Sequence, residues 1–466
     1  MSSQVRNLRE VYVPDAGLLT ALGRFAHQIS PSDLPEVVVR QAKLSLLDTI
    51  GCIVAGADMP EAGLLLDVER LSDHGREASV FCSTTKLSSQ AAARVNAYMG
   101  DIFELNDLTG GHASIGSVPA GLALVEGQNS SGADLLKAVV AGIEITSRIY
   151  GAYYSDLKPY TETGITPPGF LNSIGAAAAA SILLGLDERQ TAESLAIAGA
   201  LAGWCPSEVI FGDGGTVKPM LFGAWPASVG IMAANYAKHG ITGPGRLLES
   251  DIGFFATTAR HFNSAALMDD RLWYLAAPRR KMHACCGYIH SALDVLAELR
   301  RQHGTRHLLS GEIHVGFPAY IIPAVSKTKL PVTPNEARFH AQYCLALVAL
   351  GADRILPEHS ARVDDWLRQP DVQMLMKNIR IASKPELKHY HQCTVEVRRR
   401  GEILAYAEGN SPKGSPSNPM SDDEVINKFA TLAKPRALQA EIDAYVARIL
   451  ALEQEASCEW IFATFT

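Results

Sequence analysis

Glu104, Asn106 and Asp107 stand within four positions of one another, and two glycines and His112 follow closely, in the run Phe103-Glu-Leu-Asn-Asp-Leu-Thr-Gly-Gly-His-Ala-Ser-Ile-Gly-Ser-Val-Pro119. Two carboxylates, an amide and an imidazole in so short a span make an acid/base cluster. Apolar, Ala- and Gly-rich helical patterns flank the run on both sides. Polar groups set between buried helices cost stability unless they are paired or used, so this stretch reads as the first wall of an active site. The glycines free the backbone to turn and to project the imidazole into a cleft.

Two further clusters collect cations. Lys218 lies in Gly214-Gly-Thr-Val-Lys-Pro219, at the mouth of an apolar helix. A cation there opposes the helix dipole unless an anion joins it, which fits a lysine that binds a carboxylate. Arg279-Arg-Lys-Met-His-Ala-Cys-Cys-Gly-Tyr-Ile-His290 adds Lys281, Cys286 and Tyr288. Its spacing is not that of a zinc site, and Cys286 as a nucleophile would need nearby cations to lower its pKa. Arg148 closes a helix, where a basic residue ordinarily meets the dipole. The polar stretch after it, from Tyr153 through Tyr160 to Thr166, reads as a loop able to cover a site.

Carboxylates, a histidine, phenols and lysines without a cofactor motif suit proton abstraction beside a carboxylate. Cations neutralise the acid and stabilise the developing enolate, and a positioned base takes the α-proton. Elimination, decarboxylation and epimerisation can all use such a set of groups, and the residue types do not choose among them. There is no G-x-x-x-x-G-K-[ST] loop and no G-x-G-x-x-G after a strand, so no nucleotide cofactor is expected.

The elements that must position these groups are mostly helices. Leu18 to Ile29, Val37 to Ala55, Ser88 to Ile102, Val118 to Glu126 and Ala133 to Tyr150 carry apolar residues at helical spacing. A buried helix runs through Ala176–Ala180 with Asp187 to Ala202 as its partner, and another spans Met220 to His239. After Lys281 the pattern shifts. Glu312 to Phe317, Asn378 to Ile381 and Cys393 to Arg400 alternate as half-buried strands do, with helices at Ser291 to Gln302 and Phe339 to Leu350. Helix returns after Ser421. The fold class is therefore mostly α: a large, discontinuous helical bundle from 1–280 and 416–466, and a smaller α+β lid from 281–415.

With 466 residues, a second domain is the default. A net charge of −7 leaves no basic footprint for nucleic acid. The most apolar run, Ile174 to Leu186, falls short of the ~20 residues of a membrane span, and Met1 to Val13 has no apolar core of signal-peptide length. Eight cysteines, two of them adjacent, do not form a disulfide framework. A reduced, cytoplasmic protein is expected.

In order and spacing, these pieces resemble the MmgE/PrpD family, which includes 2-methylcitrate dehydratases, cis-aconitate decarboxylases and an iminodisuccinate epimerase. The resemblance runs from Leu47-Asp-Thr-Ile-Gly-Cys-Ile-Val-Ala-Gly56 through Asn96-Ala-Tyr, His112-Ala-Ser, Pro168-Gly and Lys218-Pro-Met. It continues through Ile241-Thr-Gly-Pro244, Lys281 with Cys285-Cys286, Glu336-Ala-Arg-Phe and Asn418-Pro-Met. It implies a site between the helical and α+β parts, a homodimer, no cofactor, no metal, and a small anionic substrate. His112 matches the family's histidine after the acidic segment, Lys218 its helix-entry lysine and Lys281 its lysine at the junction.

The chain departs from the family where Glu104-Leu-Asn-Asp-Leu108 replaces the usual Asp-Phe-Asp-Asp-Thr, where Thr166 replaces a histidine, and where Cys286 replaces the histidine of the dehydratase and decarboxylase branches. The resulting expectation is a lyase acting on a di- or tricarboxylate. His112 serves as acid/base, oriented by Glu104 or Asp107. Lys218 and Lys281 bind carboxylates, and Cys286, Tyr288, Thr166, Arg148 and Tyr160 line the pocket. An epimerase with Cys286 or a tyrosine as second base, and a binding protein that has lost catalysis, are the alternatives.

Overall fold

The computed structural model describes residues 17–30, 32–212 and 214–465. Met1 to Val13, the stretch expected to lack the apolar core of a signal peptide, lies outside them. Numbering only the elements used below, the helices are α1 (Leu18–Gln28), α2 (Glu36–Gly56), α3 (Ser89–Asp101), α4 (Ala113–Gln128), α5 (Gly132–Tyr153), α6 (Pro168–Leu183), α7 (Glu188–Leu201) and α8 (Trp225–Lys238). They are followed by α9 (His290–His303), α10 (Ala341–Leu350), α11 (Pro370–Asn378) and α12 (Asp422–Ala433). Local chemistry sets their starts. Ser88 caps α3, and reciprocal capping boxes open α5 (Ser131 with Asp134), α7 (Asp187 with Gln190) and α12 (Ser421 with Glu424).

The Ala-rich α6 is the axis of the helical part and packs against α4, α5, α7 and α8. It is apolar nearly all round, as a helix surrounded by others must be. Small residues let the backbones close in. A Cβ added at Gly175 of α6 would lie 2.7 Å from the Gly142 carbonyl of α5, and one added at Gly142 would lie 2.6 Å from Ser117 of α4. No helix among the described residues is long and apolar enough to cross a membrane.

The helix expected from Met220 begins instead at Trp225, preceded by a wider, π-helical turn over Met220–Ala224. Pro226 explains part of this. It has no N–H to offer the Phe222 carbonyl four residues earlier, and that oxygen accepts from Asn172 Nδ2 at 2.8 Å. The polar stretch expected to be a loop after Tyr150 is partly ordered: α5 runs on to Tyr153, and Tyr160–Thr163 forms a short helix.

Four strands form one sheet: β1 (Glu312–Phe317), β2 (Ile379–Ser383), β3 (Cys393–Arg399) and β4 (Glu402–Gly409), in the order β2-β1-β3-β4. β1 pairs parallel with β2 and antiparallel with β3, and β3 pairs antiparallel with β4. Helices α9 and α10 pack against the sheet. β4 was not expected from the sequence. The chain then leaves the sheet and α12 packs against α2, beside the first helices of the chain.

Candidate active site

The stretch from Phe103 to His112 links α3 to α4 and is almost wholly buried. It reverses direction on unusual backbone: φ is +51° at Glu104, +53° at Gly110, +74° at Gly111 and +75° at His112. Glycine is required at 110, where a Cβ would meet Ser147 Oγ at 2.4 Å. His112 holds the left-handed conformation without that freedom, a strain of ~1–3 kcal/mol that the surrounding structure must carry.

Glu104 is the hub of the charges. Lys281 Nζ donates to its carboxylate and, at 2.8 Å, to its backbone carbonyl. Lys218 Nζ is ion-paired with the other Glu104 oxygen and lies 2.9 Å from both oxygens of Asp101. It also sits 4.4 Å above the Phe222 ring. All four charged groups are buried. Burial would raise the Glu104 pKa, but Lys218 and Lys281 hold it well below the carboxylate range. Burial likewise opposes the Lys218 charge, and Asp101 and Glu104 more than offset it. Asp101, with its share of Lys218, is left with a pKa pushed up to about 6, chiefly by burial.

The expected orienter of His112 was Glu104 or Asp107. The structure corrects this to Asn106, whose Oδ1 lies 2.6 Å from His112 Nδ1. The amide's orientation is fixed because its Nδ2 donates to Asp101. Asn106 Oδ1 is therefore the acceptor and His112 Nδ1 carries the proton, leaving the lone pair on Nε2. Burial, and then the charge of Lys281, push the His112 pKa well below its usual value, so the ring is neutral. Asp107 turns away from the histidine. It accepts from Ser114 Oγ at 2.6 Å near the start of α4, and burial pushes its pKa up to about 6.

Glu104 and His112 line an inner chamber of about 80 Å3 together with Thr166, Cys286, Tyr288 and Tyr160. Lys218 and Lys281, expected to bind carboxylates of a substrate, do not line it: both ammoniums are paired with the Glu104 carboxylate instead. Two hydroxyls on its wall, Thr166 Oγ1 and Tyr153 Oη, are buried without a protein partner. Buried groups of this kind are ordinarily satisfied, so they mark where a polar ligand belongs. Burial pushes the Cys286 thiol up to about 12 and raises the Tyr160 and Tyr288 phenols, keeping all three protonated.

Arg148 is a second correction. It lies outside the chamber, fully buried, with its guanidinium spent on the carbonyls of Leu267, Asp269 and Leu272 and stacked 4.0 Å over the Phe25 ring. Its work is to hold the 267–272 segment against α5 and α1.

Three contributors were not assigned from sequence. Asp101 had a signal: a carboxylate in the last turn of α3 opposes the helix dipole and asks for a cation. Asn106 lay in view between two acids, which took precedence as partners. Tyr390 also lines the chamber, with its ring 5.5 Å from Tyr288, and nothing local distinguishes it from a core aromatic.

Known proteins bear on this arrangement. Residues 20–265 match the MmgE/PrpD N-terminal domain and residues 283–452 the MmgE/PrpD C-terminal domain. The chain is 25 % identical to the cis-aconitate decarboxylase-like protein oryM of Aspergillus oryzae, over 97 % of each chain. It is 24 % identical to a cis-aconitate decarboxylase of Aspergillus terreus, over 90 % of this chain and 89 % of that one. Against the cis-aconitate decarboxylase of Mus musculus the identity is 24 %, over 93 % and 90 %.

Proposed function

The chain belongs to the MmgE/PrpD family and is a lyase-type enzyme, and on that premise we propose that it acts without a cofactor on a small di- or tricarboxylate, by proton transfer α to a carboxylate. One observation carries the reading. A neutral imidazole with its lone pair on Nε2 shares a chamber with Glu104, and two lysine ammoniums stand directly behind that carboxylate.

In this reading His112 Nε2 removes the α-proton, and the resulting imidazolium is stabilised by Glu104. The Lys218 and Lys281 charges offset the Glu104 carboxylate, so that the chamber wall does not repel the negative charge that develops on the substrate. Tyr160, Tyr288 and Thr166 supply hydrogen bonds to its carboxylates. For a dehydratase outcome the protonated groups give a proton to the departing hydroxyl, which leaves as water. For a decarboxylase outcome no α-proton is first removed: the C–C bond to the carboxylate breaks with loss of CO2, and a protonated group on the wall delivers the proton to that carbon. An epimerase needs a second base, and Cys286 with a pKa of about 12 is a poor one. The reading also takes residues 281–415 as a lid on a helical part made of 1–280 and 416–466. It further takes the active species as a cytoplasmic homodimer.

The test is incubation with a panel of di- and tricarboxylates in deuterated buffer, followed by proton NMR and CO2 release. The lyase reading expects an alkene or CO2, abolished in His112→Ala. Deuterium exchange without net conversion would move the assignment to an epimerase. Full activity in His112→Ala, or inertness toward the whole panel with binding retained, would overturn it.

A further inference from the structure

The inner chamber has room for little more than one carboxylate-bearing fragment, since liquid water alone takes ~30 Å3 per molecule. Beyond it lies a cavity of about 1060 Å3, at the upper end of the ~300–1,000 Å3 of pockets for drug-sized ligands. The two spaces share Tyr150, Tyr154, Tyr160 and Tyr288 as a common wall. A small tricarboxylate alone would leave most of the outer cavity empty.

The lining of that cavity is selective. Phe211, Leu157, Pro159, Tyr274, Tyr320 and Pro323 give it apolar and aromatic walls. Its charged residues are Arg279, Lys158 and Lys388. Among the described residues it has no Asp or Glu, and none of the three cations is in an ion pair. Arg279 stands at the boundary. Its Nη1 donates to Tyr390 Oη at 3.0 Å, and Tyr390 lines the inner chamber.

From this geometry we infer that the substrate is a polycarboxylate bearing an extended apolar substituent, with its reacting carboxylate in the inner chamber, a further carboxylate near Arg279, and its alkyl or aryl extension along the tyrosine-lined outer cavity. The inference rests on the lyase reading for the chemistry, but the shape of the ligand can be tested without turnover. Saturated analogues cannot eliminate, so binding alone reports on the cavity. Each methylene that leaves water for such walls is worth up to about fourfold in affinity.

The experiment is calorimetric titration of the intact protein with succinate, butylsuccinate and octylsuccinate. The dissociation constant is expected to fall at least about tenfold from succinate to octylsuccinate. Ala277→Trp and Ala319→Phe each fill the outer cavity from a different wall, and the ratio of the succinate to the octylsuccinate constant is expected to collapse toward one in both. Constants that are flat or that rise with chain length would overturn the inference. So would a gradient that survives both variants, because the tail would then lie elsewhere. Failure of the lyase reading is separate: it appears as inertness toward alkyl-bearing as well as short members of the carboxylate panel, whatever the chain-length gradient.

Discussion

At the residue scale, the site depends on which partner each polar group takes. Glu104 and Asp107 both sit close to His112 in sequence, yet one is claimed by two lysines and the other by Ser114. Asn106 is left to set the tautomer, because its amide nitrogen is committed to Asp101. Asn106→Leu is therefore expected to lower kcat about 100-fold with little change in KM, as loss of a positioned base does; steady-state kinetics on the substrate found by the panel would check it. Asp107 bears on stability instead. Its folded pKa of about 6 lies above the ordinary 3.8, so the fold favours the protonated form. That stability is complete below pH ~4 and is lost as pH rises through 6, on the order of 3 kcal/mol in all. Asp107→Asn keeps an acceptor for Ser114 without the charge. Its melting temperature relative to the natural protein should rise between pH 5 and pH 8, and an unchanged difference across that range would contradict the assignment. The residue types of this site were legible in the sequence, as were the clusters around residues 104–112, 218 and 281. The pairings were not, because the lysines reach Glu104 from 114 and 177 residues away, and local spacing carries no information on such contacts.

At the element scale, helices were legible wherever burial imposes one period on many residues, as in α2, α3, α5 and α7. Their errors have physical causes. The helix expected from Met220 was displaced by the proline that frees the Phe222 carbonyl, which is invisible to a count of apolar residues. The edge strand β4 was missed because its apolar residues run together from Ile403 to Ala407 without the apolar-polar alternation of a half-buried strand, although exposure does alternate from Ala405 to Gly409 in the fold. The turn before it did carry a signal: Arg400 and Gly401 both have positive φ, the geometry of a tight hairpin. The same level of structure sets the distance between α4, α5 and α6, and with it the position of the His112 loop. Gly175→Ala would press a methyl against Thr146 Oγ1 and the Gly142 carbonyl, which are rigid helical neighbours. It is expected to cost ~1–3 kcal/mol or more through overpacking, read as a lower urea midpoint. An unchanged midpoint would mean that α5 and α6 can separate without penalty.

At the scale of the whole molecule, the site is tied together by the chain's return. Lys428 of α12 is buried, paired with Asp48 of α2, and donates to the Leu105 carbonyl at 2.8 Å, next to Glu104. Arg280, at the start of the segment that carries Lys281, binds Gln41 and Ser45 on the same helix. α2 thus anchors the acidic loop through residue 428 and the junction lysine through residue 280, so segments more than 300 residues apart in sequence fix one carboxylate. No local motif could announce this. The sequence showed a helical tail after the strands, but not that its lysine would hold the loop. Lys428→Met keeps most of the side chain's volume and removes the charge, leaving Asp48 buried and unpaired. Breaking a buried pair in this way costs ~3–5 kcal/mol. If the tether serves only stability, activity per folded molecule should stay constant at a temperature where the variant is fully folded. If it also holds Glu104 in its left-handed turn, kcat should fall under those same conditions, because releasing the Leu105 carbonyl lets the carboxylate drift from Lys218 and Lys281. The second outcome is expected: the neighbouring residue already occupies a strained conformation, and strained backbone relaxes when a hydrogen bond that pins it is cut. Measuring kcat beside a circular dichroism melt of the same sample separates the two.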